Sequence, residues 1–328
     1  MSFQIKILLL SFAVSTFIGM CAIPLLRKFK IKQTERTDGP ITHLRKNGTP
    51  TMGGIILITA TVILSALLYI DYTIDGAEGA QVATRLLPMI FVTLGYGVIG
   101  FIDDFIKVIM RNPKGISPKL KMAGLLLIAI IYVCLLVFTF GNTTDIYIPF
   151  ANVYWTMPVW LYIPFAILVI LATTNAVNLT DGVDGLSSSV TTIILATLTF
   201  MSIMLNIKET TIFASIVMGS SLGFLLFNLY PAHIIMGDTG SVLLGGAIAG
   251  IALYLKLPLM LLIIAIIPVI ETLSVIIQVG SFKLTGKRPF KMAPIHHHFE
   301  LSGWNENKIV RVFTGITLVF SIIGLLGM

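Results

Sequence analysis

The sequence predicts an all-α, polytopic membrane protein of ten transmembrane helices with both termini outside, and three observations carry that prediction. The chain of 328 residues is 56% hydrophobic and only 11% charged, with a mean hydropathy of +0.96. That is more apolar surface than a soluble domain can bury. The apolar residues form ten continuous runs long enough to cross a bilayer, not alternating ones, so the spans are helices. The basic residues are also confined. Eighteen of the 22 Lys and Arg cluster around three loops, after the first, third and ninth runs, which assigns those loops to the cytoplasm. The net charge of +7 is therefore a membrane-side signal and calls for no nucleic acid partner.

The runs follow in order. The first, 4–26, is too long for a signal-peptide core and lacks a small-residue cleavage site, so it reads as a retained span. Seven basic residues follow it, from Arg27 to Lys46. The second run, 53–71, opens on the glycines of "GTPTMGG" (48–54). The third, 86–103, runs into "FIDDF" (101–105), and five basic residues separate it from the fourth, 122–140. "TDIYIPFANVYWTM" (144–157) alternates polar and apolar residues around Ala-Asn. That pattern reads as a small β-hairpin at the outer interface, anchored by Trp155 and Trp160. The fifth run, 159–177, leads into "NAVNLTDGVDGL" (175–186), and the sixth and seventh cover 186–205 and 211–229. "FNLYPAHIIMGDTGS" (227–241) introduces the eighth, 240–256. The ninth, 259–280, contains Pro268 and Glu271. Pro268 removes a backbone hydrogen bond and crowds the turn before it, which predicts a kink near residues 264–268. Glu271 is then either interior to the bundle or, if the kink turns the next segment aside, directed at a polar site. Six basic residues and "KMAPIHHHFELSGW" (291–304) surround the approach to the tenth run, 309–327. Lys6, Arg85, Lys208 and Lys256 fall on the opposite side. Cys21 and Cys134, far apart in apolar stretches, form no disulfide or metal framework.

On this topology the chain is a single integral membrane domain over 1–328, and its polar motifs all share the cytoplasmic face. A site there would draw on the loops 27–52, 103–121, 175–186, 227–241 and 281–308. Asp103 and Asp104 read as a solvated helix end pairing with Lys107, or as a catalytic or metal-binding pair. Asp181 and Asp184 read as an Asx turn and helix cap, or as two carboxylates on one helix face; the spacing excludes an EF-hand. Asp238 and Ser241 read as caps of the eighth helix. Functionally, Asp238 offers a hard oxygen to Mg²⁺ and the glycine-flanked helix start offers N–H groups to a phosphate. His296, His297 and His298 lack zinc spacing and suit phosphate oxygens better. Together, several carboxylates, three imidazoles and nearby Lys and Arg suit Mg²⁺-dependent phosphoryl chemistry on a pyrophosphate. A secondary transporter is the rival class. It would place charges near the midplane and usually carries repeats, whereas here the polar motifs lie on one side and no repeat is evident.

At these same residues the chain resembles the polyprenyl-phosphate N-acetylhexosamine-1-phosphate transferases. "DGPITHLRKNGTPTMGG", "FIDDFIKV", "NAVNLTDGVDGLSS", "MGDTGS" and "APIHHHFELSGW" match that family's motifs in order, across residues 38 to 304. The resemblance implies a bacterial inner-membrane enzyme that passes phospho-MurNAc-pentapeptide from UDP-MurNAc-pentapeptide to undecaprenyl phosphate. It implies Mg²⁺, a lipid groove beside a bent ninth span, and a homodimer. The sister enzymes that use UDP-GlcNAc share the aspartate motifs but not the "APIHHHFE" form. By the same resemblance, Asp238 ligates the metal, and Asp103 or Asp104 deprotonates or orients the lipid phosphate. Asn178, Asp181 and Asp184 line the nucleotide side. Lys46, Thr51 and the three histidines hold the pyrophosphate, with His297 among the catalytic residues, and Asn175 and Asn228 complete the substrate-binding set.

Overall fold

The computed structural model describes residues 3–29 and 48–328. Lys46 and most of the first basic loop lie outside the described residues. Ten helices in the described residues are long and apolar enough to cross a membrane: α1 (Phe3–Lys28), α2 (Gly54–Ile74), α3 (Gly76–Val108), α4 (Pro118–Cys134, extended by a π turn to Thr139), α5 (Val159–Thr180), α6 (Leu186–Met204), α7 (Lys208–Asn228), α8 (Gly237–Tyr254), α10 (Ile266–Thr285) and α12 (Glu306–Leu326). Two short helices, α9 (Leu261–Ile264) and α11 (Ile295–Glu300), complete the set.

Nine of the ten spans fall where the apolar runs place them. The ninth bears out the kink predicted near residues 264–268 and corrects only the bounds of the run. The run 259–280 is not one helix: a 3-10 turn (Pro258–Met260) and α9 come first, and the chain breaks at Ala265 (φ −102°, ψ 34°) before α10 begins. The break sits one turn ahead of Pro268, where the missing N–H and the ring's bulk disrupt a helix. From there α10 continues to Thr285, five residues past the predicted end, and Gly286 in the left-handed region (φ 70°) stops it. Beyond Glu271 its apolar side chains, including Leu273, Ile276 and Phe282, are about half exposed, as lipid-facing residues are.

α8 is the centre of the bundle, with every residue from Thr239 to Leu253 buried. Its "GSVLLGGAIAG" sequence leaves little side chain between backbones, so neighbours approach closely. A Cβ on Gly54 of α2 would overlap Gly240, and one on Gly100 of α3 would overlap the Asp238 carbonyl. α3 is 33 residues long, about 50 Å at helical rise against a hydrocarbon core of roughly 30 Å. It therefore has length to carry its last turns, and the aspartate pair, toward the end of the bundle.

The hairpin is present. β1 (Asp145–Ile148) pairs antiparallel with β2 (Val153–Thr156), with Asp145 opposite Thr156 and Ile148 opposite Val153. It packs over the end of the bundle where α8 finishes and the chain terminates. The Tyr147 N–H donates to Lys256 O at 2.9 Å, and the Phe150 N–H donates to Gly327 O at 2.9 Å. The aspartate motifs lie at the other end, where α3 and α5 finish and α4 and α8 begin.

Candidate active site

The site begins as a problem of helix ends. The first N–H groups of α8 have no partner within the helix and need one from outside. Asp104, 5% exposed, supplies it from α3. Its Oδ1 accepts from the Asp238 N–H at 3.1 Å. Its Oδ2 accepts from the Thr239 N–H at 2.8 Å and the Thr239 hydroxyl at 2.6 Å. A carboxylate here also meets the positive end of the α8 dipole. Gly100, one turn earlier on α3, permits the contact because any side chain there would strike α8. Asp104 thus fixes where α8 starts and where Asp238 points.

Asp103 faces the other way. It is 1% exposed; its Oδ1 accepts the Ile116 N–H at 2.7 Å, and its Oδ2 lies 2.6 Å from Lys107 Nζ. Lys107 Nζ also lies 2.7 Å from Asp238 Oδ2, and Lys121 Nζ, near the start of α4, reaches Asp238 Oδ2 at 2.9 Å and Asp103 Oδ2 at 3.4 Å. Two carboxylates and two ammonium groups therefore share one point. Asn178 of α5 closes the far side, its Nδ2 donating to Asp238 Oδ1 at 2.8 Å and to Ser241 Oγ at 2.8 Å. Lys107, Lys121 and Asp238 keep partial exposure, so the cluster opens outward although Asp103 is enclosed.

Oδ2 of Asp103 and Oδ2 of Asp238 converge on a single cationic position, now filled by Lys107. Two hard oxygens at one point suit Mg²⁺, which takes one or two protein carboxylates and fills its remaining positions with water and phosphate. Among the described residues no group of three His, Cys, Asp or Glu is arranged to hold a metal. A divalent ion here would lean on these two carboxylates and on a substrate.

The other predicted residues divide. The segment that opens α2 is brought to the cluster: Ile235 N–H donates to Pro50 O, and Gly53 and Gly54 N–H donate to Ile235 O and Met236 O, each at 2.9 Å. That ladder sets buried Thr51 beside the start of α8. Asn228 and Asp184 are buried and tie the 228–236 loop down. Asn228 accepts from Ser188 Oγ at 2.6 Å and donates to Ile234 O at 3.0 Å, and Asp184 Oδ2 accepts from Ala232 N–H at 3.0 Å. Asp181 ends α5 with its N–H bonded to Asn178 O. Asn175 donates to Leu171 O within its own helix at 2.7 Å. The three histidines lie on α11 and make different contacts. His296 is fully buried, His297 Nδ1 lies 2.7 Å from Glu300 Oε2, and His298 Nδ1 accepts the Lys291 N–H at 3.1 Å.

Of the two lysines in the cluster, the sequence pointed to one. Lys107 was legible as an i,i+4 partner of Asp103, but its second bond to Asp238 was not. Lys121 carried no signal beyond the basic character of its loop.

With this geometry in place, the comparisons are specific. The model of Glycosyl transferase family 4 matches residues 86–256, and the Phospho-N-acetylmuramoyl-pentapeptide-transferase signature 1 matches residues 46–58. A Phospho-N-acetylmuramoyl-pentapeptide-transferase of Acetivibrio thermocellus is 50% identical, the match covering 98% of this chain and 94% of that one. One from Clostridium kluyveri is 47% identical over 98% of both chains. One from Shouchella clausii is 45% identical over 97% of this chain and 95% of its own.

Proposed function

The chain belongs to the phospho-N-acetylmuramoyl-pentapeptide-transferase family, and from that premise we propose that it transfers phospho-MurNAc-pentapeptide from UDP-MurNAc-pentapeptide to undecaprenyl phosphate. The products are lipid I and UMP. In the net reaction an oxygen of the lipid phosphate bonds to the sugar-proximal phosphorus, and the pyrophosphate bond to UMP breaks. The observation that carries this reading is the shared point of Asp103, Asp238, Lys107 and Lys121 at the end of a membrane helix bundle. A lipid-borne phosphate and a water-soluble pyrophosphate must meet at such a boundary.

Each residue then has a task. Lys107 and Lys121 draw the phosphate oxygens in and offset charge as UMP departs. Asp103, held by the Ile116 N–H, orients the acceptor phosphate or takes its proton. Asp238 presents Oδ2, aimed by Asn178, and Asp104 keeps α8 in place without touching the substrate. Mg²⁺, when bound, would be held by Asp238 with Asp103 and would neutralise pyrophosphate charge. Thr51, Lys46 and His297 with His298 hold the pyrophosphate, while Asp181 and Asn178 face the nucleotide. We place this site on the cytoplasmic side of the bacterial inner membrane, supported by the segregation of Lys and Arg, and take the working unit as a homodimer, as the family resemblance implies.

The test is UMP release from UDP-MurNAc-pentapeptide by the full chain in membranes. Release should require both undecaprenyl phosphate and Mg²⁺. Equal turnover with UDP-GlcNAc would move the chain to the sister activity, and release without acceptor would contradict the transfer. For orientation, an impermeant thiol reagent added outside cells should label a cysteine at Gly76 and spare one at Asn112; the reverse labelling would invert the topology.

A further inference from the structure

α10 carries one carboxylate into the bundle, and it is not part of the charge cluster. Glu271 and His296 are each 0% exposed. Glu271 Oε1 lies 3.1 Å from His296 Nδ1, out of line for a hydrogen bond, and Oε2 accepts the His296 backbone N–H at 3.4 Å. The far edge of the ring faces the 175–186 loop: a Cβ on Gly182 would overlap His296 Nε2. Among the described residues neither ring nitrogen has an aligned hydrogen-bond partner. The flank of the ring packs on the neighbouring imidazole, with the His296 and His297 centroids 4.1 Å apart at 59°.

We propose that Glu271 and His296 form a buried latch through which the broken ninth span positions His297, making His296 a positioning residue and not a substrate ligand. Residue 182 covers the Nε2 edge, Glu271 the Nδ1 edge and His297 the flank, so the ring does not reach a phosphate without leaving its place. A carboxylate and an imidazole are costly to bury unless they serve each other. The latch joins three segments that lie far apart in sequence: residue 182 beside the nucleotide-side carboxylates, residue 271 one turn past Pro268, and residue 296 at the start of α11. The break at Ala265 sets the direction in which α10 presents Glu271. The absence of a side chain at Gly182 leaves room for the ring. His297, braced by His296 on one side and Glu300 on the other, then keeps a fixed orientation. This rests on the transferase reading above, in which His297 meets the pyrophosphate.

The experiment is steady-state UMP release by full-length protein in nanodiscs, with melting temperature recorded for each variant. Misplacing a catalytic group lowers turnover more than binding, so His296→Ala should lower kcat by roughly tenfold or more, with KM for UDP-MurNAc-pentapeptide little changed. Gly182→Ala should do the same by displacing the ring, yet cost nothing further in the His296→Ala background. Glu271→Gln, which keeps an acceptor for the His296 N–H, should retain more activity than Glu271→Ala, and it decides the matter if the alanine variant does not fold. A rise in KM that accounts for the loss would make His296 a substrate ligand and overturn the latch. Additive losses for Gly182→Ala and His296→Ala would also overturn it. In either case wild-type turnover would persist, whereas failure of the transferase reading would silence the wild type itself.

Discussion

At the hairpin end Asp145 meets Lys256 at 3.3 Å, and at the opposite end Asp103 and Asp238 share Lys107 and Lys121. Both are carboxylates paired with lysine, and they are built differently. Asp145 is satisfied by near neighbours: the Thr143 hydroxyl, and the Thr156 hydroxyl at 2.6 Å across the hairpin. The arrangement closes on itself and fastens β1 to the end of α8. The other cluster draws on α3, α4, α5 and α8, crowds two carboxylates around the same ammonium groups, and keeps an opening. Charges held that close contribute little that an apolar core would not. In the proposed transfer they pre-organise a field that a charged substrate would otherwise have to assemble.

The contrast can be broken at several points. The largest effect belongs to Asp238→Asn, which should lower transfer by roughly 10³-fold, the range seen when one pre-organised group is removed from a charged transition state. It should also weaken the dependence on Mg²⁺, because an amide is a poorer hard ligand. Near-normal turnover measured as UMP release would remove Asp238 from the site. Lys121→Gln comes next. Lys107 still bridges the two carboxylates, so a loss of roughly tenfold to 10²-fold in kcat is expected; an unchanged kcat would leave Lys121 a surface charge. The smallest effect is at the hairpin. Hydrogen bonds from Thr143 and Thr156, with Lys256 nearby, hold the Asp145 carboxyl below its usual range. A depressed folded value means that the stabilisation is present above the ordinary carboxylate range and is lost as the pH falls through the lowered value. The melting difference between Asp145→Ala and wild type should therefore shrink on acidification. A difference that grows toward acid would reverse the assignment.

The spans were legible because hydrocarbon imposes a single rule, an unbroken apolar run of sufficient length. The hairpin was legible because its alternation stands out between such runs. The ninth span was legible as a kink but its helical bounds were not, since a run of apolar residues looks the same whether it is helical from Leu259 or only from Ile266. In the site, each motif announced a reactive residue type without saying which atoms it would face. "FIDDF" shows two aspartates; only the packing of α3 on α8 separates Asp104, bonded to the first N–H groups of α8, from Asp103, bonded to two lysines. "HHH" shows three equivalent imidazoles, and the burial of His296 depends on Glu271 and Gly182, neither near it in sequence. Lys121 needed the turn from α3 into α4 to come within reach of Asp238.

The central claim is that transfer chemistry resides in the cluster at the α3 and α8 end and not in lysine-paired carboxylates generally. The direct measurement applies the same chemical change at both ends, Asp103→Asn and Asp145→Asn, and compares initial UMP release with wild type at matched protein in the same membranes. The account predicts a loss of roughly 10²-fold or more for Asp103→Asn, with Asp145→Asn close to wild type. Equal losses at the two ends, or full activity in Asp103→Asn, would contradict it.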